Sequence, residues 1–273
     1  MATTVPRPLG HLSRLATAPL PVTLSLLLLG FLAAPWSLEH KTHMALHGLC
    51  AQRPSHSYWV GDTRLPFDAR MMGIYCGFLA AGLALVATGG YRRSRAVSRT
   101  WALILAALVG AMAVDGFNSL LLDMRLWHPY EPSNALRVVT GAGTGVALAV
   151  ALGHLSAITL WRTTDRARFV VARPTEAVAL AFSPAPLLVL VTAAPGWLYG
   201  PISILLILAA LAVLATLAMI CIVLLRRLDY AFTSPGQLQP VMVQAVVVGA
   251  LAMASLSAGR MLVERVLGTM PLT

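Results

Sequence analysis

The amino-acid sequence predicts an all-α, polytopic membrane protein with about seven transmembrane helices. Of its 273 residues, 58% are hydrophobic and 11% are charged, and the mean hydropathy is +0.77. A soluble domain averages about 45–50% apolar and about 25% charged residues, so this chain has too little polar surface to face water on all sides. A net charge of +10 can indicate nucleic-acid binding. Here the arginines form short clusters between apolar runs, so we expect no nucleic-acid partner.

Seven apolar runs approach the length of about 20 residues that a helix needs to cross the hydrocarbon core. They occupy residues 19–36, 72–90, 101–122, 138–161, 177–198, 201–225 and 238–260. The first run is the weakest, because it follows Arg7 and Arg14 and ends near Pro35, as the apolar part of a signal peptide would. We favour a retained anchor, since Trp36 is typical of a membrane interface.

The arginines predict the orientation, because cytoplasmic loops carry an excess of Lys and Arg close to the spans. Three alternate loops are rich in arginine and are assigned to the cytoplasm: Arg92, Arg93, Arg95 and Arg99; Arg162, Arg166, Arg168 and Arg173; Arg226 and Arg227. The predicted segments are a cytoplasmic tail (1–18), a first helix that is a signal anchor (19–36), an extracytoplasmic His-rich loop (37–71), a core of three helices (72–161), an Arg-rich cytoplasmic loop (162–176), and three further helices with an extracytoplasmic tail (177–273). We expect a multi-pass protein of the cell membrane, with membrane lipids and other membrane subunits as partners.

The predicted outer loop concentrates side chains that bind transition metals. His43 and His47 are one helical turn apart, and Cys50 follows three residues later, so all three would share one side of a helix. Imidazole and thiolate suit zinc or copper, and His56 and Asp68 would complete the set of donors. The spacing matches no strong zinc signature, so a hydrogen-bonded cap of histidines is the alternative interpretation.

Polar side chains inside the spans are candidates for function, because an unpaired charge there costs several kcal/mol. Asp115 lies in the third span with Asn118 on the same face, and Arg137 opens the fourth span from the same outer side. We therefore predict that Asp115 pairs with Arg137, directly or through Asn118 or water. The outer end would also hold the other polar residues on that side, namely Arg70, Tyr75, Asn134, Arg260 and Glu264.

Three further features indicate packing rather than a binding site. Pro184 and its neighbours in the fifth span are expected to kink that helix. Gly141 and Gly145 predict a close contact between helices. His154 lies near the inner end of its span, where packing or snorkelling is the simpler interpretation.

Two ordered blocks of residues carry a resemblance to a family. The first is Cys50-Ala51-Gln52-Arg53-Pro54-Ser55-His56-Ser57-Tyr58, with Gly61, Leu65-Pro66, Ala69-Arg70 and Gly73-Ile74-Tyr75-Cys76-Gly77; the second is Asp115-Gly116, Ser133-Asn134-Ala135-Leu136-Arg137 and Thr140-Gly141. Together they resemble the prokaryotic membrane family called domain of unknown function 2085, across roughly residues 45–150. The resemblance implies no reaction. Many members look richer in thiols at the first block, so the single Cys50 with Asp68 makes a harder donor set than theirs.

These observations leave three classes of function open. The first is a protein without catalytic activity whose outer cluster binds a small ligand, a lipid headgroup or a metal such as zinc, through Arg70, Tyr75, Asp115, Asn118, Asn134 and Arg137 or the metal donors above. The second is a membrane enzyme acting on a lipid-linked or anionic substrate, with Asp115, Arg137 and His56 as candidate catalytic residues. The third is a transporter or channel, suggested by the kinked fifth span. We favour the first, with a transition metal such as zinc as the candidate cofactor.

Overall fold

The structure is a computed structural model that describes residues 19–268, and helices account for most of it, which confirms the predicted all-α class. The predicted tail 1–18 lies outside the described residues. In chain order the helices are α1 (Leu20–Ala33), α2 (Leu38–Leu46), α3 (Ala69–Ala87), α4 (Arg99–Asp123), α5 (Asn134–Leu160), α6 (Pro174–Phe182), α7 (Ala185–Thr192), α8 (Tyr199–Leu225) and α9 (Pro235–Val266). Four short strands form two small sheets: β1 (Ser57–Val60), β2 (Thr63–Asp68), β3 (Arg93–Arg95) and β4 (Asp165–Phe169).

Six helices of the described part are long and apolar enough to cross a membrane: Ala69–Ala87, Arg99–Asp123, Asn134–Leu160, Pro174–Thr192, Gly196–Leu225 and Pro235–Val266. The first predicted span is the shorter apolar helix α1, of 14 residues. At 1.5 Å per residue such a helix spans about 21 Å, less than the roughly 30 Å of a hydrocarbon core. The number seven and the orientation of the termini therefore stay predictions.

The centre of the bundle is the contact between α3 and α5, the most extensive in the molecule. Glycines allow it: a Cβ on Gly141 would lie 2.3 Å from the carbonyl oxygen of Arg70, and one on Gly145 would lie 2.2 Å from that of Ile74. No side chain fits at such distances, so the predicted close helix contact is confirmed. It fixes the first two turns of α3 against the second and third turns of α5.

Helix α4 packs chiefly against α5 and buries only one short stretch of its own surface. That stretch holds Asp115, Asn118 and Ser119, while the apolar remainder of the helix is mostly exposed. Helices α3, α4 and α5 begin at side-chain caps, as α2 does at Ser37: Asp68 accepts the backbone N–H of Met71, and Ser98 and Ser133 cap α4 and α5 in the same way. The caps fix the residues at which these helices begin.

The fifth predicted span is broken, as its prolines indicated. Helix α6 ends at Phe182 and α7 begins at Ala185, with Pro184 between them. Proline removes a backbone donor and clashes with the preceding turn, which accounts for the break. Helices α8 and α9 complete the bundle, and α1 contacts α9.

The predicted outer loop is an ordered cap with helix α2 and a β-hairpin, which the sequence analysis did not predict. Strands β1 and β2 are antiparallel, with Trp59 opposite Arg64 and Val60 opposite Thr63. Gly61 makes the turn with a φ of +60°, a conformation that glycine adopts without strain. The hairpin leads directly into α3, so it sets the position of Arg70.

Candidate functional site

The buried carboxylate of Asp115 is the centre of the candidate site. Its side chain is 2% exposed, and Arg70 Nη2 donates to Asp115 Oδ2 at 2.6 Å. Arg70 also donates to Ser119 Oγ at 3.2 Å, and the Tyr130 hydroxyl donates to Asp115 Oδ1 at 3.2 Å. Both carboxylate oxygens therefore have partners, one of them charged.

The prediction that Asp115 pairs directly with Arg137 is wrong, because Arg70 takes that place. The side chain of Arg70 passes beside Gly116, where a Cβ would lie in ordinary contact with Arg70 Nη1, at 3.7 Å. Arg137 instead donates from Nη1 to Asn134 Oδ1, one turn earlier on α5, at 2.8 Å. The route through Asn118 is also absent, since Asn118 Oδ1 has no hydrogen-bond partner.

Arg137 is the least compensated charge of the site. The residue is 5% exposed, its Nε is buried without a hydrogen-bond partner, and no carboxylate of the described residues lies within ion-pairing distance of it. Burying a guanidinium without a counter-charge costs several kcal/mol. With Arg70 and Arg137 against Asp115, the centre of the site carries a net charge of +1.

Backbone acceptors and the loop after α4 close the site. Asn118 Nδ2 donates to the carbonyl of Tyr130 at 2.8 Å, and Asn134 Nδ2 donates to the carbonyls of Ser55 and Ser57 at 3.4 Å. The loop before α3 is thus bound to the start of α5, and the loop after α4 is bound back to α4. We call the seven residues of this site the outer polar cluster: Arg70, Asp115, Asn118, Ser119, Tyr130, Asn134 and Arg137.

A second charged group borders the outer polar cluster. Arg53 pairs with Asp123 at the end of α4, and His56 Nε2 lies 3.8 Å from Asp123 Oδ1. Burial lowers the pKa of His56 below its ordinary value of 6.5, and the positive charge of Arg137 lowers it further. His56 is therefore close enough to Arg137 to be affected by its charge, while its imidazole contacts the carboxylate of Asp123.

Tyr75, a predicted ligand residue, lies apart from the cluster. Its ring stacks on Phe67 with centroids 4.9 Å apart, and the residue is 8% exposed. Sequence reasoning also missed two members of the cluster, Ser119 and Tyr130. Ser119 could have been found, since it is four residues after Asp115 on the same helix face. Tyr130 lies in a loop whose path the sequence does not give.

The predicted metal donors have other partners. Cys50 Sγ donates to Asp68 Oδ2 at 3.2 Å, and burial, with the charge of Asp68, raises the pKa of the thiol to about 12. His47 Nε2 lies 2.7 Å from Glu264 Oε2, while His43 Nδ1 donates to the carbonyl of Glu39 at 3.0 Å.

In the part of the chain that the structure describes, no group of three or more His, Cys, Asp or Glu residues is arranged to hold a metal ion. The contacts are those of the alternative interpretation, a hydrogen-bonded cap, and the metal site stays a prediction. The end of α9 belongs to this cap, because Arg260 donates to the carbonyls of His47 and Cys50.

His154 lines an apolar cavity of about 670 Å³ between α4 and α5, and its Nδ1 is buried without a partner. The walls of this cavity are mainly alanine, valine and leucine side chains from both helices. Such a surface suits lipid chains, and nothing in it distinguishes a specific ligand from bulk lipid.

Comparison with known proteins gave one match. Residues 50–151 match the family model of DUF2085, described as a predicted membrane protein. Neither the search of curated proteins nor that of solved structures found a match. The matched segment contains all seven residues of the outer polar cluster, and α6 to α9 lie beyond it. The resemblance drawn from the two sequence blocks is therefore confirmed: residues 50–151 match the DUF2085 family of predicted membrane proteins.

Proposed function

We propose that this membrane protein binds an anionic group, the phosphate or carboxylate of a small ligand or lipid headgroup, at the outer polar cluster. The observation that carries the proposal is Arg137, a buried guanidinium with an unpartnered Nε and no carboxylate of the described residues within ion-pairing distance. An anion bound beside Arg137 would supply that direct ion pair. Guanidinium groups suit this role, because their planar donors match phosphate and carboxylate oxygens.

The other members of the cluster support a site for an anionic ligand that also carries hydroxyl groups. Asp115 neutralises Arg70, so one positive charge is left for the ligand. Asn118 Oδ1, also buried without a partner, is an acceptor that a ligand hydroxyl could satisfy. A glycerol phosphate headgroup presents both chemistries.

The proposed location is the extracytoplasmic side of the cell membrane. The cluster lies at the start of α5, and the arginine-rich loops lie at its other end. Because arginine-rich loops favour the cytoplasm, the cluster and the His-rich cap would face outward. Outer-leaflet lipids and other membrane subunits would then have access to the cluster.

An enzyme is the alternative, and the geometry supports it less well. A general base needs a free oxygen within reach of the substrate, yet both oxygens of Asp115 are engaged. His56 and Arg137 remain candidates for catalytic roles in that alternative. For a transporter or channel, the break at Pro184 is the supporting feature.

The test is binding of phosphatidylglycerol to the purified full-length protein, measured by native mass spectrometry with phosphatidylcholine of the same chains as reference. Arg137→Gln should weaken one phosphatidylglycerol site by roughly tenfold or more, the effect of losing a hydrogen bond to a charged group. The matched control is Arg265→Gln, which removes one exposed charge near the end of α9.

Titration with soluble glycerol phosphate distinguishes a free ligand from a lipid headgroup. If Arg137→Gln and Arg265→Gln weakened phosphatidylglycerol binding equally, the proposal would be overturned, because only diffuse charge would then matter.

A further inference from the structure

A polar cavity lies at the arginine-rich end of the bundle, far from the outer polar cluster. It has a volume of about 350 Å³ and is lined by Ser94, Arg95, Ile158, Thr164, Arg166 and Tyr230. Asn134 and Ile158 are 24 residues apart on α5, so the two sites are separated by about 36 Å along the helix axis. We call this cavity the inner arginine pocket.

The two arginines of the pocket are not neutralised by a carboxylate of the described residues. Among the described residues, the side chain of Arg166 has no ion pair or hydrogen bond. The guanidinium of Arg95 donates only to the carbonyl of Ala167, at 3.3 Å. The nearest carboxylate in sequence, Asp165, is engaged elsewhere: it accepts the backbone N–H groups of Ala167 and Arg168 and lies 3.4 Å from Arg168 Nε. The pocket therefore presents two positive charges.

Hydroxyl groups add neutral donors beside these charges. Thr164 Oγ1 donates to Ser94 Oγ at 2.7 Å, which leaves the proton of the Ser94 hydroxyl for another acceptor. The phenol of Tyr230 is a third hydroxyl in the lining. Two guanidinium groups with hydroxyls form a donor set that suits the oxygens of a phosphate group.

The backbone holds this donor set in place. Strands β3 and β4 pair in parallel, with Arg93 opposite Asp165 and Arg95 opposite Phe169, so two loops that are distant in sequence each contribute an arginine to the pocket. Arg95 also stacks on Phe169, with its guanidinium carbon 4.1 Å from the ring centroid. Tyr230 has a φ of +57°, and its N–H donates to the carbonyl of Thr159 at 2.9 Å. This hydrogen bond joins the backbone of Tyr230 to α5, while the side chain of Tyr230 is exposed.

The net positive charge of the surrounding loops also favours a phosphate group. The three loops at this end, residues 91–100, 162–176 and 226–230, contain ten arginines and three carboxylates. Such a surface attracts anions before they reach the pocket.

From this arrangement we infer that the inner arginine pocket binds a phosphate group, carried either by an anionic lipid headgroup or by a soluble phosphate compound. The inference goes beyond the proposed function, since it concerns the opposite end of the molecule and different residues.

The experiment compares two double variants of the full chain that remove the same charge. Arg95→Gln with Arg166→Gln changes the pocket, whereas Arg99→Gln with Arg162→Gln changes arginines of the same loops that do not line it; all four arginines are exposed. Binding of phosphatidylglycerol is measured by native mass spectrometry, and binding of inorganic pyrophosphate by calorimetry. Thr164→Val removes one hydroxyl group of the pocket and leaves both arginines, so it still tests the pocket if the first pair folds poorly.

The pocket pair should weaken binding of at least one probe roughly tenfold or more beyond the control pair, and Thr164→Val should weaken the same probe. Loss of phosphatidylglycerol alone identifies a lipid headgroup as the source, and loss of pyrophosphate identifies a soluble phosphate compound. Equal losses in both pairs, or no binding of either probe by the unmodified protein, would overturn the inference. Arg137→Gln should leave this pocket unchanged, so failure here is distinguishable from failure of the proposed function.

Discussion

The ion pair between Arg70 and Asp115 gives the sharpest prediction on stability. Asp115→Asn keeps the shape of the side chain but leaves two guanidinium groups in the outer polar cluster without a counter-charge. Breaking a buried ion pair costs about 3–5 kcal/mol. Because the side chain of Arg70 is 24% exposed, we expect a loss near the lower limit, about 3 kcal/mol.

A double-mutant cycle identifies which arginine is the partner. Arg70→Gln should recover about 1–3 kcal/mol of the loss caused by Asp115→Asn, the range for residues in direct contact, whereas Arg137→Gln should recover less than about 1 kcal/mol. The free energy of unfolding is measured by denaturant titration of the protein in detergent micelles, with Tyr130→Phe as the control for loss of one hydrogen bond to Asp115 without loss of a charge. If Arg137→Gln were the better rescue, the assignment of the ion pair would be refuted.

Three further predictions concern helix packing, the thiol and acid sensitivity. Gly141→Ala should cost about 1–3 kcal/mol or more of unfolding free energy, because its Cβ would meet backbone 2.3 Å away. The control, Gly110→Ala on α4, meets nothing within 4 Å and should cost nothing. A similar loss in both variants would contradict the packing. Because burial raises the pKa of Cys50 to about 12, its thiol should react with maleimide at pH 8 only on unfolding. The control is Ser55→Cys on the exposed part of the cap, which should react at once. It should also react from outside intact cells if that side is extracytoplasmic. Since the pKa of His56 is below 6.5 in the folded protein, the unfolded chain binds its proton first as the pH falls; stability should therefore decrease on acidification below pH 6.5, and His56→Gln should flatten that decrease in thermal unfolding.

The membrane fold could be predicted from the sequence because it depends on composition and on the length of apolar runs. The close contact at Gly141 and the break at Pro184 were also predictable, since glycine and proline act on the backbone itself. The first span was less certain for the same physical reason: at 14 residues, α1 is marginal in length.

The partner of Asp115 could not be predicted, because it depends on the rotation of α3 about its axis. The sequence places Arg70 and Arg137 at the outer end alike, and only the packing of α3 on α5 decides between them. The hairpin that precedes Arg70 was missed as well. Strand β1 has only four residues, and β2 contains Pro66 and three consecutive buried residues, so neither shows the alternation of a half-buried strand.

The most direct test of the proposed anion site is an experimental structure of the full-length protein in lipid nanodiscs that contain phosphatidylglycerol. The proposal predicts density outside the protein within hydrogen-bonding distance of the Arg137 guanidinium, with Arg70 still on Asp115. An Arg137 guanidinium that is paired with a carboxylate of the protein, with no additional density beside it, would contradict the proposal.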